Sequence, residues 1–276
     1  MSLPIDTKIA RLGRAGSDRA INKSSVRIPK AAEIVAAKLR RTIVDGSIEP
    51  GSFLPSEAQM IKLFEVSRPT IREAIRILEF ENLICVSRGA RGGAVVQPPS
   101  PDFVSKAVGV SLQSSNATLD DVFAARAVLE PAAASMAAKT RSKEAGEKLL
   151  EHVELEFAAL DDQTHTIAVE VAAFHRLLLS ECGNKTFALL GVALHDLVLR
   201  HLKLYHQTVP REVSEKRARS ITGIRSHEKL ANLILNGQAE EAEAHWRVHM
   251  AKVAEFILPG LGKTSVLEVL DDASWT

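Results

Sequence analysis

Three histidines in the second half of the chain have the placement expected of metal ligands. All nine histidines of the 276-residue sequence lie at or after His152. His175, His227 and His249 each fall on the apolar side of a segment with helical periodicity. A single inward histidine is usually a satisfied core residue, whereas three on successive inward faces of a bundle are typical of neutral imidazoles that converge on one ion. We predict one divalent ion (zinc, nickel or manganese), with a metal-free pocket as the alternative.

Arg126 is the charged residue that the same pattern places inside this part of the chain. The apolar positions of its helix lie within about 40° of it in helical projection: Leu119, Val122, Ala133 and Ala137. A guanidinium on an apolar face needs an anion. Two interpretations are open: a structural ion pair with Glu130, one turn on, or a bidentate contact with the carboxylate of a small ligand. We group Arg126 with Arg200 as candidate effector-binding residues.

A third set of candidate functional residues lies in the first third of the chain. The first turn of a predicted helix combines small, polar and basic side chains: Ser67, Arg68, Pro69, Thr70 and Arg72. Such a helix can enter the major groove of DNA, where Arg68 is suited to a guanine. In the glycine-rich turn that follows, Arg88 and Gly89 are expected to reach the minor groove, because arginine matches its negative potential and glycine permits close approach. A solvated basic face is the alternative.

The elements that must position these residues form two groups. Residues 31–96 predict three helices followed by strands at 83–86 and 94–96, the order of a winged helix-turn-helix. Pro98-Pro99-Ser100-Pro101 then interrupts regular structure. Beyond it the periodicity is helical, at about 103–113, 118–139, 143–160, 165–182, 185–206, 212–236 and 238–257. We predict a mainly α chain, an N-terminal winged helix-turn-helix plus a C-terminal all-α helical bundle.

Charge and composition support this division. Residues 1–98 carry 16 Lys+Arg against 10 Asp+Glu, and residues 99–276 carry 19 against 24, so only the first part is expected to meet a polyanion. We expect a flexible basic arm at 1–28, a DNA-binding domain at 29–98, an effector-binding and dimerisation domain at 99–260, and a tail at 261–276. With two cysteines, no signal-peptide pattern and no apolar run of about 20 residues, we expect a cytoplasmic protein without membrane contact.

Several of these segments resemble a known family. Residues 46–57 and 66–75 are similar to the signature of the DNA-binding domain of GntR-family bacterial transcription regulators. The helical part resembles the FCD effector domain of the FadR subfamily, and the segments that carry this resemblance are 126–130, 174–176, 183–184, His227 and His249. The resemblance covers about residues 30–258. It implies a regulator, most simply a repressor, that binds a palindromic double-stranded operator as a homodimer and senses a small organic acid.

The chain departs from the family pattern at two positions. Family members often carry an arginine that reaches DNA directly after the Leu-Pro-Ser-Glu phrase, where this chain has Ala58. Many FCD domains have an aspartate ligand one turn before the first histidine, where this chain has Val171. Glu170 lies about 140° from His175 around the helix and is not expected to replace that ligand. We therefore expect a three-histidine site.

An enzyme is the alternative class of function. A three-histidine site can hold a metal that activates water or oxygen. Against this alternative, no inward carboxylate stands out as a general base near the three histidines, and an enzyme would leave the DNA-binding part unexplained. We expect a regulator and not an enzyme.

Overall fold

The computed structural model describes residues 30–87, 92–97, 101–160, 167–206, 213–258 and 262–266, of which 102, 201–206 and 213–216 are described in backbone only. The chain divides into two compact units between Pro98 and Pro99. The predicted basic arm at 1–28, the turn residues Arg88 and Gly89, and residues 267–276 of the predicted tail lie outside the described residues.

The first unit contains three helices and a two-stranded antiparallel sheet, with these bounds: α1 Ala31–Val44, α2 Glu57–Phe64, α3 Arg68–Phe80, β1 Ile84–Val86 and β2 Ala94–Val96. Helix α2 begins where the sequence predicts, because the Ser56 hydroxyl accepts from the Gln59 amide and the Gln59 side chain accepts from the Ser56 amide. The strands pair Ile84 with Val96, and Val95 also forms a bridge with Phe53. This is the predicted winged helix-turn-helix.

The α3 helix is fixed by one apolar stripe. Ile71, Ala74 and Leu78 are fully buried and pack with α1 and β1. The spacing of these three residues leaves the opposite side of the helix to the arginines. The same packing therefore holds the basic first turn of α3 at the protein surface.

The second unit is helical throughout its described residues apart from an isolated bridge between Thr118 and Ser265. Its helices are α4 Pro101–Ser114, α5 Leu119–Thr140, α6 Ser142–Ala159, α7 Ile167–Ser180, α8 Lys185–His206, α9 Val213–Leu235 and α10 Ala239–Ile257. The mainly α fold class and the all-α bundle are confirmed, and the helix bounds differ from the predicted ones by two residues or fewer.

Two long helix pairs make the core of this bundle. Helix α5 packs along α10, and α6 packs along α9. The backbone approach is closest at Gly146 on α6, where an added Cβ would lie 2.6 Å from the Cα of Leu235 on α9. The largest fully buried side chains of the core cluster include Trp246 and Phe174, and both belong to the site described below.

Residues 262–266, within the predicted tail, pack against the start of α5. The amides of Leu119 and Asp120 donate to the carbonyls of Thr264 and Gly262, and Val266 is 1% exposed. The first turn of α5 has amides without partners inside the helix, so the C-terminal segment supplies acceptors there. Sequence periodicity could not detect this contact, because it depends on backbone groups.

Candidate functional site

The predicted DNA-reading residues lie together at the start of α3. Ser67 is the N-cap residue and Pro69 lies in the first turn, as predicted. The Ser67 hydroxyl does not cap the helix. It forms a hydrogen bond with the Thr70 hydroxyl, with 2.8 Å between the two oxygens. The free amides of the first turn therefore remain open to an acceptor such as a phosphate.

The two arginines of this turn share one acidic partner. Nε of Arg72 donates to Oε1 of Glu57 on α2 at 3.0 Å, and Nε of Arg68 lies 4.0 Å from Oε2. Both arginine side chains are 60% exposed. Glu57 thus orients the two guanidinium groups, while their terminal nitrogens stay available to bases and phosphates.

The three predicted metal ligands converge in the second unit. His175 on α7, His227 on α9 and His249 on α10 are all buried, and their ligand nitrogens lie within 4.8 Å of one another. The Nε2 atoms of His227 and His249 are buried and have no hydrogen-bond partner among the described residues. Buried polar atoms are normally satisfied, so these two nitrogens point to a missing partner. Three imidazoles are a suitable donor set for zinc, nickel or manganese.

A carboxylate fixes the orientation of His175. Nδ1 of His175 lies 2.6 Å from Oε2 of Glu130, which also accepts from Nε1 of Trp246 at 3.2 Å. The other oxygen of Glu130 accepts from Nε and Nη2 of Arg126. Because Nδ1 is engaged, Nε2 is the nitrogen that His175 can offer to a metal.

The other two histidines are oriented in the same way. Nδ1 of His227 lies 2.7 and 3.0 Å from the two oxygens of Glu156 on α6. Nδ1 of His249 lies 3.0 Å from the hydroxyl of Ser226 on α9. Each imidazole therefore engages a partner through Nδ1 and has Nε2 left for the centre of the site. Hydrogen bonding at the second nitrogen is the usual arrangement for histidines that ligate metals.

Aromatic side chains form the apolar walls of this site. Trp246 stacks on His249 with ring centroids 4.1 Å apart, and Phe174 stacks on His227 at the same separation. The two aromatic rings also contact each other at 5.8 Å. This packing limits the rotation of the imidazoles and keeps water from their faces, which lowers the cost of assembling the ligands.

Burial controls the protonation of these groups. It lowers the pKa of His249 to about 3 and, with the positive charges nearby, holds the pKa of His227 well below its usual range. Burial also raises the pKa of the Glu156 carboxyl to about 9, with a contribution from the charge of Glu170. For Glu130, burial acts in the same direction, but Arg126 and His175 outweigh it and lower the pKa of that carboxyl. Neutral imidazoles are the form that binds a metal.

Arg126 forms an ion pair with Glu130, which is one of the two interpretations of this arginine that the sequence left open. The side chain is 4% exposed and pairs with Glu130. Its Nη2 also lies 3.3 Å from Nδ1 of His195. Since a guanidinium only donates, Nδ1 of His195 must accept and its proton lies on Nε2. Arg200, the second candidate, is partly buried on α8.

The sequence argument about inward carboxylates is wrong. Glu130 and Glu156 are 1% and 0% exposed and lie beside the histidines. Both bond to Nδ1 atoms, on the side of the imidazole ring away from Nε2, so they are placed to orient ligands. The inward position of Glu156 could have been found from the sequence, because with Leu149 and Val153 it continues the apolar stripe of α6 at helical spacing. The same holds for Trp246, because it lies at helical spacing between Ala242 and Met250, whereas Ser226 carries no comparable signal.

Comparison with known proteins identifies the class of this chain. Residues 31–96 match the family described as bacterial regulatory proteins, gntR family, and residues 121–252 match the FCD domain. The chain belongs to the GntR family of bacterial transcription regulators and carries a C-terminal FCD domain. It is therefore a DNA-binding transcription regulator and not an enzyme, and the family assignment made from the sequence is confirmed.

Individual relatives are similar over most of the chain. The HTH-type transcriptional repressor NanR of Klebsiella aerogenes is 27% identical over 228 residues, which are 82% of this chain and 84% of that protein. NanR of Cronobacter sakazakii is 27% identical over 183 residues, 66% of this chain and 70% of that protein. Among solved structures, Streptococcus agalactiae GntR has a TM-score of 0.64 at 20% identity and covers 82% of this chain and 99% of its own. That structure supports the fold.

No helix among the described residues is both long enough and apolar enough to cross a bilayer.

Proposed function

We propose that the protein is a ligand-responsive repressor that acts in the bacterial cytoplasm and binds a palindromic operator as a homodimer. The observation that carries this proposal is the exposed basic first turn of α3 on a winged helix-turn-helix. One such helix reads a short half-site, so two copies with two-fold symmetry are needed for tight and specific binding. The curated relatives are named as repressors, which supports repression.

In this proposal the residues at the start of α3 contact different parts of the DNA. Arg68 contacts a guanine, while Thr70, Arg72 and the amides after Ser67 bind phosphates. Pro69 fixes the start of the helix in the groove. Arg88 and Gly89 in the hairpin turn contact the adjacent minor groove.

DNA selection with a substituted protein tests this assignment. Duplexes that bind the wild type are selected from a random pool, and the enriched site is titrated in a fluorescence anisotropy assay at fixed salt. Arg68→Ala should weaken binding by about 1–3 kcal/mol and relax the preference at one base pair per half-site. Arg247→Ala, which removes an exposed arginine of the helical unit, is the matched control and should bind as the wild type. If no site with two-fold symmetry is enriched, or folded Arg68→Ala keeps the wild-type affinity, the proposal is wrong.

The helical unit is proposed to hold one divalent metal ion through His175, His227 and His249. The support is the convergence of three oriented imidazoles with two buried, unpartnered Nε2 atoms. A bound zinc, nickel or manganese ion would act as a Lewis acid with positions open to a ligand carboxylate. Protein stripped with a chelator and titrated with Zn²⁺, Ni²⁺ and Mn²⁺ in a calorimeter should bind one ion per chain. His227→Ala should abolish this binding, and a stripped wild type that binds none of the three ions would refute the site.

The proposed effector is a small carboxylic acid that binds beside the metal, with Arg126 and Arg200 as its candidate partners. Arg126 already donates to Glu130, so an acid must share this guanidinium with that carboxylate. Arg126→Lys keeps the charge and loses the planar fork, and it should reduce effector binding while operator binding is retained. A thermal-shift screen of organic acids on both proteins, followed by operator titrations with each hit, tests this role. Hits that stabilise both proteins equally would make Arg126 purely structural.

A further inference from the structure

Glu156 is a buried acid of α6 that faces one of the three histidines. Its side chain is 0% exposed, and both oxygens face Nδ1 of His227. In the part of the chain that the structure describes, no lysine or arginine lies within ion-pairing distance of this carboxylate. A carboxylate is expensive to bury unless it is paired or lies next to a metal site. The polar contact that the structure gives this carboxyl is the one with Nδ1 of His227.

The other buried acid of the site has its charge balanced. Glu130 pairs with Arg126 through one oxygen and contacts His175 through the other. The two carboxylates thus orient two metal ligands, but only one of them has a permanent cationic partner. A divalent ion between the histidines would supply a positive charge beside Glu156.

We propose that Glu156 is a positioning residue of the metal site, which holds His227 with Nε2 towards the ion and balances part of the ion's charge. This inference rests on the metal site proposed above and adds a residue that does not itself touch the ion. In the metal-bound form an ionised Glu156 accepts a hydrogen bond from Nδ1–H of His227, which leaves the Nε2 lone pair for the metal. It also places a negative charge in a site whose three ligands are neutral.

Metal titration of two carboxamide variants tests the proposal. Glu156→Gln keeps the size and a hydrogen-bonding oxygen but removes the charge. Glu154→Gln is the matched control, because it removes an exposed acid of the same helix. Chelator-stripped proteins are titrated with Zn²⁺ alone by calorimetry, and the melting temperature of each metal-free protein is recorded.

We expect Glu156→Gln to bind Zn²⁺ roughly 10- to 100-fold more weakly than the wild type. Its metal-free melting temperature should be equal or higher, because an uncompensated buried acid has been removed. Glu154→Gln should keep the wild-type affinity for Zn²⁺. This combination of weaker metal binding without loss of metal-free stability is not produced by a purely structural role.

The results that would overturn this inference can be told apart from those that would overturn the metal site. Unchanged Zn²⁺ affinity in Glu156→Gln overturns the inference and leaves the metal site standing. A metal-free Glu156→Gln protein that melts well below the wild type, or does not fold, overturns it as well, because Glu156 is then needed for folding. A wild type that binds no Zn²⁺, Ni²⁺ or Mn²⁺ removes the metal site and this inference together.

Discussion

Acidification should destabilise the metal-free helical unit, because the unit buries neutral imidazoles. In the folded protein the pKa of His249 is lowered to about 3, and those of His195 and His227 lie well below their usual range. In the unfolded chain each histidine has a pKa of about 6.5. Below that value the unfolded chain binds more protons than the folded one, so stability is lost as the pH falls. At about 1.4 kcal/mol per pH unit, each of these histidines lowers the free energy of unfolding by about 2 kcal/mol between pH 7 and pH 5.

Glu156 opposes this loss. Its folded pKa is raised to about 9, so it stays protonated over the range in which the unfolded carboxyl ionises, and acidification favours the folded form. Between pH 7 and pH 5 this gain is about 3 kcal/mol for an unfolded pKa of about 4.3. The three histidines together lower the free energy of unfolding by about 6 kcal/mol, and Glu156 offsets about half of this. The net loss between pH 7 and pH 5 is therefore about 3 kcal/mol.

Urea unfolding of chelator-treated protein at both pH values measures this loss. Trp246 is fully buried against His249, so its fluorescence reports on the helical unit, and Trp275→Phe makes it the single tryptophan of the chain. His249→Gln removes one titrating group and should lose about 2 kcal/mol less than the wild type. Equal wild-type stability at the two pH values, or an equal loss in His249→Gln, would refute the reasoning.

Three further predictions concern single side chains. Val171→Asp should tighten Zn²⁺ binding by about tenfold, or 1.4 kcal/mol, in the same calorimetric titration, and unchanged affinity would place position 171 away from the ion. Arg126→Met should cost about 3–5 kcal/mol in urea unfolding, because Glu130 is left buried without its guanidinium; a smaller cost would mean that the pair is not stabilising. Gly146→Ala should cost about 1–3 kcal/mol, because its Cβ would collide with the backbone of Leu235, and an unchanged melting temperature would contradict this packing.

The sequence was sufficient for the fold and for the inward placement of three histidines, because both depend on local periodicity. Apolar spacing located the helices, and it also placed His175, His227 and His249 on inward faces. The partners of those histidines depend on pairing between helices: Glu130 is 45 residues from His175, and Glu156 is 71 residues from His227. No spacing rule links residues so far apart. The docking of residues 262–266 was missed for the same reason.

The buried charges of the proposed site explain why an acid is a suitable effector. The charges of Arg126 and Glu130 cancel in their ion pair, so this pair adds no net charge to the site. A divalent ion on three neutral histidines brings two positive charges, and an ionised Glu156 compensates one of them. One positive charge remains in an environment that penalises net charge. A single ligand carboxylate removes it. Under the proposed function the metal and the acid would favour each other's binding, and by linkage the preference would be reciprocal.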